Sequence, residues 1–270
     1  MKTWSQINLA RLPYIGYATR KSNLALAGIR SEYARQVREF GEAAIQMLSE
    51  GNLKQKIESL FIDIYTVTGV DFAKKQIDLI KSGNPNLKLK QDWEILESQW
   101  VRDMREFAVT RCAQKIQIST RTLFEDIVNV SRSVFTQVPE TGWGADRIAK
   151  EIMKRQGQID AFRALRIART EIVGASNEGS FLGAQSFPVE VNKVWVATFD
   201  GKGRPEHENM HDTSIKLSEK FVVPLPPTIG GESEMDYPGD PDAHPANVIQ
   251  CRCGVVYEPV NSVIDRLLNE

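Results

Sequence analysis

Two histidines and two cysteines are the residues best suited to bind a metal ion. His207 and His211 are four residues apart, so a helical turn would place both imidazoles on one face. Cys251 and Cys253 are two residues apart, so both thiols would lie on the same side of a strand. Together they could complete a tetrahedral zinc site, with His244 as a spare ligand. The alternative, which we expect, is a pair of packed thiols and two histidines bound to backbone groups.

The segment His207-Glu-Asn-Met-His211 also satisfies the His-Glu-x-x-His pattern, in which a helix presents two zinc ligands and a general base. Pro205 precedes the segment and Thr213 follows it, which leaves room for barely two helical turns. A zinc-dependent hydrolase that uses His207, Glu208 and His211 is therefore the alternative hypothesis. We expect no enzyme activity, no catalytic residues and no cofactor, with a structural zinc as the open alternative.

Three arginines, Arg163, Arg166 and Arg169, recur at three-residue intervals and share one flank of a predicted helix. Guanidinium groups in this arrangement could bind phosphates or the carboxylates of a partner. The alternative is that they pair with acids of their own domain, namely Glu171 or the acidic loop 236–242. We favour this alternative, because the loop carries the opposite charge.

The composition of the 270 residues is that of an ordinary globular protein, and the chain can bury a substantial core. Residues 1–45 carry a net charge of +4 and residues 201–270 a net charge of −6. A basic leading segment suits nucleic acid or an acidic protein surface, while two solvated faces of opposite sign are the alternative. No apolar run approaches the roughly 18 residues of a membrane span. The odd number of cysteines is typical of a protein made in a reducing cytoplasm.

Hydrophobic periodicity predicts helices throughout the N-terminal half, after an irregular segment over residues 1–20. The predicted helices cover residues 22–48, 53–68, 70–80, 93–118 (the longest) and 120–134. The last of these would begin near a capping box at Thr122 and Glu125. Residues 139–142 interrupt the pattern and mark the predicted domain boundary.

The C-terminal half changes from helical to strand patterns after Pro188. We predict helices over 144–153 and 160–183, the second capped by Asp160. Predicted strands cover 191–199, 220–225 and 253–257, an ordered loop covers 226–247, and a short helix covers 260–268. The fold class is therefore α+β: a mostly helical N-terminal half, then two helices packed on a small antiparallel sheet with long ordered loops.

The order of these motifs over residues 143–258 resembles the Mu F-like family of phage minor head proteins, also called head morphogenesis proteins. The residues that carry the resemblance are Arg163, Arg166, Arg169, Thr170, Glu171, Lys193, Trp195, Asp200, Arg204, His207, Asp240 within Pro238–Pro241, Cys251 and Cys253. Two positions depart from the family's pattern. Lys202 stands where the family more often has arginine, and Asp212-Thr213 stands where it usually has glycine.

The resemblance implies a minor structural protein of a tailed phage or prophage head. Such a protein would be associated with the portal inside the procapsid and would act in head morphogenesis or in DNA packaging and ejection. Residues 1–140 would form a helical region for portal association and assembly, residues 141–258 the Mu F-like domain and residues 259–270 a short C-terminal helix.

The partners that the resemblance implies are the portal protein and other head proteins, with weak non-specific DNA binding and no membrane. The expected localisation is the interior of the virion head near the portal, after synthesis in the cytoplasm of a bacterial host.

Overall fold

A computed structural model describes residues 4–83, 85–138 and 143–260 and shows an α+β fold, as predicted. The helices in this part of the chain are α1 (Trp4–Phe40), α2 (Ala44–Met47), α3 (Glu50–Gly83), α4 (Trp93–Thr110), α5 (Ala113–Phe135), α6 (Ala145–Gln185), α7 (Pro205–Glu208) and α8 (Pro245–Val248). The strands are β1 (Val191–Val196), β2 (Ser214–Lys216), β3 (Phe221–Pro224), β4 (Glu232–Met235) and β5 (Gly254–Pro259). One antiparallel sheet has the order β2-β1-β5, and β3 pairs with β4 in another.

The chain forms two compact units that are interleaved along the sequence. The first contains Met1–Ile15, Ile62–Arg111 and Arg169–Glu270, and the second contains Gly16–Phe61 and Cys112–Ala168. Each unit therefore contains residues from before and after the predicted domain boundary at residue 140. Helices α1, α3 and α6 each contribute residues to both units. The functional division into 1–140 and 141–258 stays a prediction. Residues 139–142 and 261–270, and with them the predicted C-terminal helix, lie outside the described residues.

The prediction of an irregular segment over residues 1–20 was wrong, because α1 already begins at Trp4. Its buried side chains follow helical spacing, but the buried stripe includes the polar residues Arg11 and Ser22, which hid the hydrophobic period. Ile7 packs against Val196 and Val256 of the three-stranded sheet. The first turns of α1 are thus held by tertiary contacts.

Four further helix boundaries were predicted wrongly. Gly69 lies inside α3, which runs unbroken where two helices were expected. The longest helix is α6, a single 41-residue helix that has Asp160 in its interior, whereas the predicted helix from Trp93 ends at Thr110. Helix α5 begins at Ala113, so Thr122 lies in mid-helix, where its hydroxyl donates to Ile118 O at 2.9 Å. The expected loop over 226–247 contains strand β4 and part of α8.

Glycines let α3 and α6 approach closely within the first unit. A Cβ added to Gly179 of α6 would collide with the backbone carbonyl of Gly69 in α3. A Cβ added to Gly183 would lie 2.5 Å from the carbonyl of Ala73, one turn further along α3. Here glycine is required by backbone proximity, since neither residue has a positive φ. None of the described helices is long and apolar enough to span a lipid bilayer.

We predict opposite effects for two glycine substitutions on α6. Gly179→Ala should lower the free energy of unfolding by about 1–3 kcal/mol, because the added methyl group displaces the α3 backbone. Gly157→Ala is the matched control: no atom lies within 4 Å of its added Cβ, so it should raise stability by about 0.5–1 kcal/mol. Chemical denaturation of both variants measures the difference. Equal effects of the same sign would contradict the close α3–α6 contact.

Candidate functional site

Three of the predicted metal ligands lie together in a buried cluster formed by His207, Cys251 and Cys253. The Nδ1 atom of His207 is 3.6 Å from the Sγ atom of Cys251 and 3.6 Å from that of Cys253. The ligand atoms all lie within 4.8 Å of one another, and each residue is at most 3% exposed. We call these residues the Cys-His cluster. Its donor set of one imidazole and two thiols is typical of zinc sites.

The imidazole of His207 is held on two sides. The indole of Trp195, on β1, contacts the imidazole edge-to-face with the ring centres 5.4 Å apart. On the other side, Nε2 of His207 is 3.3 Å from Oδ1 of Asn247 in α8. The Nδ2 atom of Asn247 donates to the carbonyls of Val223 and Pro224 at 3.4 and 3.3 Å. These contacts fix the imidazole with Nδ1 towards the two sulfur atoms.

The two thiols affect each other's ionisation. The hydrogen bond from the Cys251 thiol, together with His207 and the backbone N–H of Thr198, lowers the pKa of Cys253. The pKa of Cys251 is raised, first by its interaction with Cys253 and then by burial. The guanidinium of Arg11 is itself buried, and burial lowers its pKa to about 10 against the opposing effect of the two cysteines. Cys251 therefore holds its proton more tightly than Cys253 does.

The structure does not bring His211 or His244 into the Cys-His cluster, so the four candidate ligands His207, His211, Cys251 and Cys253 do not lie together as one group. Helix α7 ends at Glu208, and His211 therefore does not share a helical face with His207. Instead, Nδ1 of His211 accepts a hydrogen bond from the backbone N–H of Ala197 at 3.2 Å. The side chain of His244 caps α8 by accepting from Ala246 N.

The same geometry argues against the zinc hydrolase on His207, Glu208 and His211. That mechanism needs both histidines on one continuous helix with the glutamate beside the metal. Here His207 is buried against the cysteines, while His211 is 37% exposed and packs edge-to-face on Phe199. The hydrolase hypothesis is therefore not supported.

The turn from Asp200 to His207 holds the segment that carries the two cysteines. The carboxylate of Asp200 accepts a hydrogen bond from Arg252 at 2.7 Å. Arg204 donates to the carbonyl of Ile249 at 2.6 Å. Three side chains of one turn, those of Asp200, Arg204 and His207, thus contact consecutive parts of segment 249–253. The predicted residues Asp200 and His207 have positioning roles here.

The arginines of α6 differ in environment. Arg163 is buried and pairs with Asp126 and with Asp160, the latter at 2.9 Å. We predicted that the arginines pair with acids of their own domain, namely Glu171 or the loop 236–242. The acids that pair with Arg163 are instead Asp126 and Asp160. Arg166 and Arg169 are exposed. Phe162, the residue before Arg163, is 79% exposed.

The next two motif residues on α6 join this helix to other segments of the first unit. The hydroxyl of Thr170 accepts a hydrogen bond at 3.1 Å from the backbone N–H of Gln250, the residue before Cys251. Gln250 has a φ of 56°, so this bond supports a backbone conformation that non-glycine residues rarely adopt. Glu171, also buried, accepts a hydrogen bond from the hydroxyl of Tyr65 at 2.9 Å.

The loop Pro238–Pro241 is folded around the fully buried carboxylate of Asp240. This carboxylate accepts hydrogen bonds from the backbone N–H groups of Asp236 and Asp242 at 2.8 and 3.0 Å. Arg111 donates to it at 2.8 Å, which supplies the opposite charge. Gly239 has a φ of +84°, and its Cβ position is 3.2 Å from Gly174 N, so both conformation and space require glycine.

Sequence reasoning missed several polar residues of this region: Arg11, Arg111, Glu178 and Asn247. Arg11 is 1% exposed and donates to Ser176 and Asn177 of α6 at 2.8 and 2.6 Å. It also donates to the carbonyls of Arg252 and Cys253 at 3.3 and 3.2 Å. Its spacing of four residues from Ile7 on α1 was the available signal, since an arginine on a buried stripe must have partners.

Glu178 is a buried acid beside the Asp240 loop. Burial raises its pKa to about 7, the charges of Asp240 and Asp236 act in the same direction, and Arg111 acts against them. Its Oε2 atom has no hydrogen-bond partner within the described part of the chain. The protonated carboxyl group is therefore the stable form of Glu178 in the folded protein up to about neutral pH.

Comparison with known proteins identifies the class to which this arrangement belongs. Residues 130–256 match the model of a phage protein family, described as phage Mu protein F like protein. This match confirms the resemblance of the segment to the Mu F-like family, and it indicates a phage head protein. No curated protein and no solved structure matches the chain.

We predict that Glu178 makes the protein less stable as the pH rises from about 4.5 to about 7. An acid whose pKa is raised on folding binds its proton more tightly in the folded state, so its contribution is present at low pH and is lost through this interval. Glu178→Gln should therefore be more stable than the wild type at pH 8 by up to about 3 kcal/mol, with little difference near pH 5. Denaturation at both pH values measures this, and a difference independent of pH would contradict it.

Proposed function

We propose that this protein is a minor structural component of a tailed phage or prophage head, associated with the portal inside the procapsid. In this role it acts in head morphogenesis or in DNA packaging and ejection, near the portal in the head interior. The observation that carries the proposal is the match of residues 130–256 to the Mu F-like family. Its partners are the portal protein and other head proteins.

The roles of the motif residues support a protein that works by binding. Trp195, Asp240, Cys251 and Cys253 are buried, and their contacts are to other residues of the same unit. Residues of this kind maintain a fold, and partner recognition falls to the surface. We therefore propose an assembly role without catalytic turnover.

The most exposed large apolar side chain in the family segment, among those described, is Phe162 on α6. Aromatic residues are enriched at the centres of protein interfaces, where they contribute much of the binding free energy. Phe162 is next to Arg163 in α6, and Arg163 forms ion pairs with Asp126 and Asp160. These ion pairs fix the part of the helix that carries Phe162. We propose that Phe162 contributes to portal binding.

Several of the basic residues of the segment 1–45 are paired with other groups of the protein. Arg11 is buried, Arg30 pairs with Asp160 in the second unit, and Arg38 pairs with Asp146 at 2.9 Å. Paired cations have little remaining attraction for phosphate groups. We therefore propose that DNA binding is weak and non-specific.

The first functional prediction is that the full chain co-purifies with the portal protein of the same phage. Phe162→Ser should reduce the yield of the complex by about tenfold, because removal of an aromatic anchor costs about 1–2 kcal/mol or more. The melting temperature should stay near that of the wild type, because the side chain is exposed.

Ile229→Ser is the matched control, since Ile229 is 52% exposed in the loop between β3 and β4. We expect this variant to bind the portal normally. Failure of the wild-type chain to co-purify with the portal or to enter procapsids would contradict the proposed function. Equal binding by Phe162→Ser would contradict only the proposed contact.

The second functional prediction concerns DNA. We expect binding without sequence preference. A plot of the logarithm of the binding constant against the logarithm of the salt concentration should have a slope of about −2 to −3, as for two or three phosphate contacts. Combined replacement of the exposed Arg20 and Arg166 by glutamine should weaken it, whereas Lys202→Gln, in the acidic C-terminal part, should leave it unchanged. Fluorescence anisotropy at several salt concentrations is the measurement. Tight binding that survives several hundred millimolar salt would contradict the prediction.

A further inference from the structure

The two nitrogen–sulfur distances within the Cys-His cluster match those between ligands of one metal ion. In a regular tetrahedral zinc site with Zn–S of ≈ 2.3 Å and Zn–N of ≈ 2.05 Å, the sulfur and nitrogen ligands are about 3.6 Å apart. The Nδ1 atom of His207 lies 3.6 Å from both Cys251 Sγ and Cys253 Sγ. A single imidazole lone pair accepts one S–H hydrogen bond well, so equal distances to two sulfur atoms favour an ion between all three.

The hydrogen bonds behind the imidazole determine which nitrogen carries the proton. Asn247 uses Nδ2 to donate to two backbone carbonyls, so its Oδ1 acceptor must be the atom that faces His207. Nε2 of His207 therefore carries hydrogen and donates to Asn247 at 3.3 Å. The lone pair of Nδ1 is left directed towards the sulfur atoms, which is the tautomer that a metal ligand needs.

From this geometry we propose that His207 Nδ1, Cys251 Sγ and Cys253 Sγ bind one zinc ion. Thiolate and imidazole ligands select zinc over the harder magnesium and calcium ions, which prefer oxygen. The expectation of packed thiols without metal is thereby revised. His211 and His244 do not belong to the site, because both imidazoles are bound to backbone N–H groups elsewhere.

The surroundings of the site suit an ion that closes the fold. Arg11 donates to the carbonyls of Arg252 and Cys253, so the backbone between the two thiols is held from the side of α1. Two thiolates balance the charge of a divalent zinc, which leaves the Arg11 guanidinium as the nearby cation. The three ligands are at most 3% exposed, which is typical of structural sites. This inference is independent of the proposed role in the phage head.

The test is the metal content of the full chain, expressed with zinc and purified under reducing conditions. We expect about one zinc per chain by elemental analysis, and loss of this zinc in His207→Gln, Cys251→Ser and Cys253→Ser. Cys112→Ser and His211→Gln are the matched controls and should keep it, since Cys112 is a buried cysteine outside the cluster. Loss of zinc in either control, or its absence from the wild type, would overturn the three-ligand assignment.

A second measurement needs no variant and therefore does not depend on whether the substituted chains fold. Cobalt(II) added to the metal-free full chain should give the intense visible bands of a tetrahedral ion together with thiolate-to-cobalt charge-transfer absorption. The signal should saturate at about one equivalent, and zinc should displace it. An octahedral cobalt spectrum, or one without the thiolate bands, would overturn the proposal.

Discussion

The buried guanidinium of Arg11 joins three segments that are far apart in the sequence. It donates hydrogen bonds to two side chains of α6, Ser176 and Asn177, and to two carbonyls of the segment Cys251–Cys253. A buried cation is costly unless its donors are satisfied, so α1, α6 and this segment must keep their mutual positions. Asn177 also donates a hydrogen bond to the carbonyl of Pro238 at 2.6 Å. This bond fixes the position of the loop that contains Asp240 relative to α6.

The sequence located three of the five described strands closely and missed β2 and β4. Alternating β-branched residues placed β1, β3 and β5 within a few residues of their observed bounds, because burial on a sheet face leaves a local signature. Glycine and aspartate misled the helix prediction. Gly69 and Asp160 were interpreted as helix ends, but Gly69 provides space at a helix contact and Asp160 pairs with Arg30 of α1. Both roles depend on contacts with residues that are distant in the sequence, so the neighbouring residues alone do not reveal them.

The candidate site was also only half predictable. The two-residue spacing of Cys251 and Cys253 indicated paired thiols, and His207 was among the proposed ligands. Sequence spacing could not distinguish His207 from His211, because the choice depends on α7 ending at Glu208. The residues that orient the cluster, Arg11 and Asn247, are chosen by three-dimensional proximity. For the same reason the acids that pair with Arg163 were predicted in the wrong place.

The interleaved first unit has a consequence for the order in which the protein folds during synthesis. Arg11 leaves the ribosome long before Arg252 and Cys253, the residues whose carbonyls it binds. All segments of the second unit, Gly16–Phe61 and Cys112–Ala168, have by then been translated. Since units generally fold as their residues emerge, the second unit can form early, while the N-terminal turns of α1 must wait for the last strand. Translation that stops before Arg252 therefore yields a chain in which the buried guanidinium of Arg11 lacks two of its four hydrogen-bond acceptors.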